Sequence, residues 1–209
     1  VIDITPDDLY KFVIGVDPAI TSGEDADETG IIVVAKGPHQ PSTCAIGTCT
    51  AHGYVLQDAT PPKSNKNSVD RWVNKVVEMF DEWNAELVVV EDNAGRDLLE
   101  MALRTKRADL PIKRPNAREN KKARAEPIVA LYEQGRIHHV GDPMHFAELE
   151  EQMTTWVPKE GGGRSSKSPD RVDALVWALA ELNLQGRRPR QTPLDIAPVG
   201  FGQANGWAI

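Results

Sequence analysis

Two cysteines in 209 residues, Cys44 and Cys49, leave little material for a disulfide framework or a thiolate metal centre. Their spacing lacks a second Cys or His pair of zinc-binding pattern, and a chain of this length buries a sizeable core without cross-links. Both are therefore read as reduced thiols. Long hydrophobic runs are also missing. The longest, such as Leu87 to Val90 and Ile31 to Ala35, fall far short of the roughly 20 residues a membrane helix needs. Val1 to Tyr10 carries acids where a signal peptide would have a basic and then an apolar stretch. No HExxH, GxxxxGK[ST] or GxGxxG occurs, which excludes a zincin-type metal helix and a glycine-rich cradle for ATP or a dinucleotide. His138 and His139 are adjacent, so on a strand they face opposite sides, and a structural or surface role is expected for them. No internal repeat is evident. The absence of an initiator Met leads to the expectation of a fragment cut from a longer polypeptide.

What is present is ordinary in amount, 40% apolar and 26% charged, but not in distribution. The net charge of −7 argues against a polyanionic partner until it is divided along the chain. Between Leu103 and Arg124, nine basic residues (Arg104, Lys106, Arg107, Lys113, Arg114, Arg118, Lys121, Lys122 and Arg124) face only Asp109 and Glu119. That stretch is +7 and the remainder −14. A basic stripe on an acidic protein suits a polyanion held beside a carboxylate-rich site; a solvated helix face is the plainer alternative.

The apolar pattern alternates between strand and helix. Phe12 to Asp17 and Gly30 to Ala35 read as strands, flanking an acidic loop with Asp25, Asp27 and Glu28. A third strand is expected around Thr43 to Thr50 or Tyr54 to Leu56. Ser68 can cap a helix whose Val69, Trp72, Val73, Val76, Phe80 and Trp83 follow the 3.6-residue period. Glu86 to Glu91 is a strand with no alternation at its centre, as for a strand covered on both faces. A helix over Arg96 to Lys106, a short strand near Ile112, and a helix ending at Gly135 follow. Pro127 is expected to start or kink that last helix. Ile137 to Val140 is a strand, and Phe146, Leu149, Met153 and Trp156 stripe the next helix. Lys159 to Lys167, with three consecutive glycines, reads as a mobile loop, and a final helix runs from about Pro169 to Leu184. This order predicts an α/β fold on a sheet of mixed direction.

Four acids stand where elements end or begin. Asp17 closes the first strand, Glu91 closes the buried one, and Asp170 and Asp173 lie three apart in the first turn of the last helix, on one face. Ligands of open α/β sheets collect outside strand ends. Taken singly, Asp17 before Pro18 is explained as a turn former, and Asp170 and Asp173 as helix-start acids. Glu91, finishing a strand as apolar as LVVV, has few structural reasons to exist. Gathered together, carboxylates repel, and a cation must balance them. An all-oxygen set favours magnesium or manganese over zinc, and two such ions, roughly 3.5–4 Å apart, can clamp the attacking and leaving oxygens of a phosphodiester displacement.

Gly15-Val16-Asp17-Pro18-Ala19, then Val88 to Asn93, then Ser168-Pro169-Asp170-Arg171-Val172-Asp173-Ala174-Leu175 resemble the three motifs of tailed-phage terminase large-subunit nuclease domains; Lys122 to Pro127 and Leu131 to Arg136 resemble the same family. The resemblance implies an RNase H-like mixed β-sheet flanked by helices on both faces, over residues 11–185, with 1–10 as a linker from an absent ATPase domain and 186–209 as a loosely ordered tail. It implies a metal-dependent endonuclease cutting concatemeric viral DNA during packaging in the host cytoplasm, with Mg2+ or Mn2+, two ions, on Asp17, Glu91 and Asp173. Related resolvases use both acids of a pair like Asp170 and Asp173, some terminases one, so Asp170 enters as the fourth ligand. Double-stranded DNA would lie along the basic stripe, with Arg164 and Lys167 of the glycine-rich loop near its path. The ATPase motor, portal and small terminase subunit would be the protein partners of an otherwise monomeric domain.

Three other readings compete. A Holliday-junction resolvase shares fold and acids but prefers branched DNA. A sugar-kinase or actin-type ATPase needs a second half that 209 residues hardly supply. A non-catalytic docking module, with its acids as mere caps, would bind no metal.

Overall fold

A computed structural model of the chain describes residues 4–18, 28–40, 51–62, 69–91, 96–115, 120–156 and 169–184. The expected mobile loop, the tail, Cys44, Cys49, Asp25, Asp27, Ser68, Asp92, Arg118, Arg164 and Lys167 lie outside these residues. The strands are β1 (Lys11–Asp17), β2 (Gly30–Pro38), β3 (Ala51–Asp58), β4 (Leu87–Val90), β5 (Ile112–Lys113) and β6 (Ile137–His139). The helices are α1 (Val69–Glu82), α2 (Arg96–Lys106), α3 (Lys121–Glu133), α4 (Ala147–Thr155) and α5 (Asp170–Glu181).

The six strands form one sheet in the order β5-β4-β1-β2-β3-β6. Strand β2 runs antiparallel to both its neighbours, while β1–β4, β4–β5 and β3–β6 pair in parallel. This is the mixed sheet expected from the sequence. Alternation sorts the side chains into two cores. Val13, Ile32, Val34, Val55 and Val89 pack with α3, α4 and α5 on one face. Ile14, Val16, Ile31, Val33, Val88 and Val90 pack with α1 and α2 on the other. Both faces of the central strands are thus covered, which is why β4 reads as an unbroken apolar run.

Two details differ from expectation. Of the two alternatives for the third strand, β3 contains Tyr54 to Leu56; its start at Ala51 is hidden in the sequence because His52 and Gly53 break the apolar pattern. Pro127 neither starts nor interrupts α3, which Asn120 caps through its side chain 2.9 Å from the Ala123 amide. The proline lies inside the helix on its exposed side, where the carbonyl deprived of a partner can be hydrated.

Helix α5 sits unusually close to the sheet. A Cβ on Gly15 of β1 would overlap the Ala174 carbonyl, and one on Gly30 of β2 would overlap that of Asp170. Both obstacles are backbone, so no rotamer change relieves them. Every residue from Asp170 to Leu179 is buried. Replacing Gly15 by Ala should therefore destabilise the domain by about 1–3 kcal/mol or more, read as a lower urea midpoint. A change under ~0.5 kcal/mol, the scale of surface substitutions, would mean that α5 does not rest on this glycine.

Candidate metal centre

The parallel pairing of β1 and β4 brings their carboxyl ends side by side. Val16 is in register with Val90, and the Glu91 amide donates to the Val16 carbonyl at 3.0 Å. By alternation Asp17 shares a face with Val13 and Gly15, and Glu91 shares it with Val89. This is the face on which α5 lies. The helix enters over Gly30, the register partner of Asp17, so its first turn arrives at the same strand ends.

The result is a cluster of three carboxylates, Asp17, Glu91 and Asp173, each buried and each offering an oxygen within 4.8 Å of the others. Burial, followed by the charges of Glu91 and Asp173, pushes the Asp17 carboxyl well above the usual carboxylate range. Burial likewise raises Asp173, against the opposing pull of Lys121. Glu91 Oε2 is buried without a hydrogen-bond partner.

Asp170 is buried one turn earlier, but its Oδ2 accepts the Glu28 amide at 2.9 Å and it does not join the cluster of three. Its charge is still felt at Asp17. The two acids of the last motif thus have different surroundings, although they share a helix turn.

Two cations from α3, one turn apart, reach the cluster. The Lys121 ammonium pairs with Asp173. Burial opposes its charge, but Asp173, Asp17 and Glu91 outweigh burial and leave its pKa raised. Arg124 lies 3.4 Å from Glu91 Oε1, and its guanidinium rests 4.3 Å from the centre of the Trp177 ring. The sequence groups both with a DNA-contacting stripe; the fold puts them among the acids instead.

The rest of that stripe is divided between elements and partnered locally. Arg104 and Arg114 pair with Glu100, Lys106 with Asp70, Arg107 with Asp81 and Asp109, and Lys113 with Glu181. Lys122 is exposed. Such exposed pairs contribute little to stability, so phosphate oxygens can replace their carboxylates at small cost.

Sequence reasoning misses Arg171. Its guanidinium is buried and meets Asp58 at 2.8 Å, together with Glu28 and Glu148. Burial works against the charge, but the three acids outweigh it and raise its pKa further. This knot gives Glu28, part of an acidic loop with no obvious role, a definite one. It holds Arg171 through its side chain and Asp170 through its amide. The available signal is an Arg placed between two helix-start acids, where the helix dipole disfavours a cation unless it is compensated. The histidines do face opposite sides, as expected: His138 meets His52, and His139 meets Tyr132 and Glu150 at 2.8 Å each.

Comparison with known proteins agrees with this fold. Among solved structures, the large terminase nuclease from thermophilic phage G20c is similar with a TM-score of 0.57 and 13% identity, over 84% of this chain and 83% of that one. RuvC of Thermus thermophilus is similar with a TM-score of 0.42 and 18% identity, over 84% of this chain and 96% of that one. No curated protein matches. The family profile described as the terminase RNaseH-like domain matches residues 14–182, from inside β1 past the end of α5, and the chain belongs to that family.

Proposed function

We propose that this domain is a divalent-metal-dependent DNA endonuclease that cuts concatemeric viral DNA during genome packaging. The observation that carries the reading is the convergence of Asp17, Glu91 and Asp173 at the ends of adjacent parallel strands. Three buried carboxylates are a poor structural choice, since each raises the cost of ionising the next. The residues fit a cation: Glu91 Oε2 is buried with nothing to bond, and the donors are all hard oxygens suited to Mg2+ or Mn2+. Asp17, Glu91 and Asp173 would hold the metal, with Asp170 as a fourth acid once released from the Glu28 amide. Bound there, two ions would activate a water for attack on the phosphodiester and stabilise the departing 3′ oxygen. The chain's own part is to fix the carboxylates, keep them ionised through Lys121 and Arg124, and offer Lys122 and the surrounding basic residues to DNA phosphates.

Packaging-specific elements follow from family membership in the same spirit. Residues 1–10 would link to an ATPase motor domain and 186–209 would form a tail. The portal and small subunit would direct where the nuclease acts, because phosphate contacts carry no sequence information.

Two experiments test the reading. Supercoiled plasmid incubated with Mg2+, Mn2+ or EDTA should be nicked only with metal, and Asp173→Ala should reduce nicking by ~10²-fold or more, the scale of losing a transition-state charge stabiliser. Metal-independent binding without cleavage by folded protein would favour a docking module; selective cutting of branched over linear DNA would favour a resolvase.

The second experiment uses stability. With its pKa raised by folding, Asp17 holds a proton that the unfolded chain has already lost between the ordinary carboxylate range and the raised value. Stability of the EDTA-treated protein should fall as pH climbs through that window. Asp17→Asn should flatten the fall, and thermal unfolding at pH 5 and pH 8 reads it. At pH 8, Mg2+ at a hundredfold excess over its Kd should restore about 2.7 kcal/mol to the wild type and almost nothing to Asp17→Asn. Equal pH profiles for the two proteins would show that Asp17 is not held in this way.

A further inference from the structure

At the opposite end of the sheet from the carboxylates, where β2 leaves and β3 enters, three imidazoles meet. His52 of β3 is completely buried, His138 of β6 nearly so, and His39 follows the end of β2. His39 Nδ1 lies 3.3 Å from His52 Nε2, and His52 Nδ1 lies 2.7 Å from His138 Nε2. These residues stand on three adjacent strands, on the sheet face away from α5, beside Tyr54.

We propose that His39 and His52 form a second metal-binding site for Zn2+ or a cation of similar softness, with His138 orienting the His52 ring. The two spacings differ in kind. The 2.7 Å contact is a short N–H···N hydrogen bond, whereas 3.3 Å is longer than the usual ~2.7–3.2 Å. It does match the separation of two nitrogens on one tetrahedral zinc, about 3.3–3.4 Å for bonds of ~2.0–2.1 Å. If His52 donates from Nδ1 to His138, its Nε2 carries the lone pair on the side of His39. A histidine ligand whose second nitrogen is held by a buried acceptor is the usual arrangement at metal sites. Burial, with the neighbouring His138, His39 and Arg136, lowers the His52 pKa to about 4, so the ring is neutral as ligation requires.

The remaining coordination positions call for anionic ligands or water, because neutral imidazoles do not offset a divalent charge near Arg136. By sequence, the connection between the two imidazoles also carries Cys44 and Cys49, residues outside the described set and without an assigned position. The inference is independent of the nuclease reading: its donors are nitrogens, and it lies at the far end of β1 and β2 from Asp17. Its role would be structural, tying the β2–β3 connection to the edge strand β6.

The test is zinc content. Untagged protein would be stripped with EDTA, dialysed against ZnCl2 and then buffer, and analysed by plasma mass spectrometry. Wild type and Asp173→Asn should each retain about one zinc per chain, and His39→Gln should retain at least ~10-fold less. His138→Gln should weaken zinc binding by roughly 10–100-fold while keeping the same stoichiometry. His39 is only half-buried, so its variant folds even where replacing His52 would not, and circular dichroism confirms this. Retention by His39→Gln equal to wild type, loss confined to Asp173→Asn, or no retained zinc in the wild type would each overturn the proposal.

Discussion

The position of α5 governs this molecule. Two glycines on neighbouring strands, Gly15 and Gly30, let the helix backbone touch the sheet backbone, and only this approach brings a helix residue level with the ends of β1 and β4. A helix held at ordinary packing distance, 8–10 Å between axes in helix pairs and about 10 Å from a sheet, would leave Asp173 short of Asp17 and Glu91. The approach also explains why α5 is buried all round. With the sheet beneath it and α3 and α4 above, it has no exposed side on which to place polar residues. Its polar residues must therefore find partners inside the protein.

They do so in two ways. Arg171 is matched by more charge than it carries, with Asp58, Glu28 and Glu148 all directed at one guanidinium. Asp173 is matched by less, since Lys121 is shared with Asp17 and Glu91. Breaking the Arg171 knot would leave a buried charge without compensation, a loss of several kcal/mol in typical proteins. The carboxylate cluster is the reverse case: it is under-compensated as folded, and its electrostatics improve when a cation arrives. One turn of helix thus holds a structural charge that is satisfied beside a chemical charge that is not.

Much of this is legible in the chain. The strand-end positions of Asp17 and Glu91 follow from apolar runs that stop at an acid, and α2 has the bounds its pattern gives, because those signals are local. The face on which Asp17 and Glu91 project is also implicit in period-2 alternation once the pairing is known. What escapes is non-local. Glu28 and Arg171 are 143 positions apart, and nothing near either one names the other. Lys121 and Arg124 look like surface charge because their acidic partners belong to other elements. The difference between Asp170 and Asp173 is likewise invisible in a helix pattern, since it depends on which backbone amide a distant loop delivers.

The sheet also separates two kinds of donor. Strand β1 ends in a carboxylate at one edge of the core, while β2, running the other way, ends beside imidazoles. An antiparallel neighbour necessarily sends its carboxyl end to the far side, so a mixed sheet of this order offers two ends for chemistry where a fully parallel sheet offers one. Hard oxygens gather where α5 supplies the third ligand, and nitrogens gather where no helix covers His52 and His138. A cation that prefers oxygen finds no carboxylate set among the described residues at the histidine end, and one that prefers nitrogen finds no imidazole in the Asp17 cluster. Separation by ligand type lets one small sheet hold a reactive site at one end while a different interaction stabilises the other.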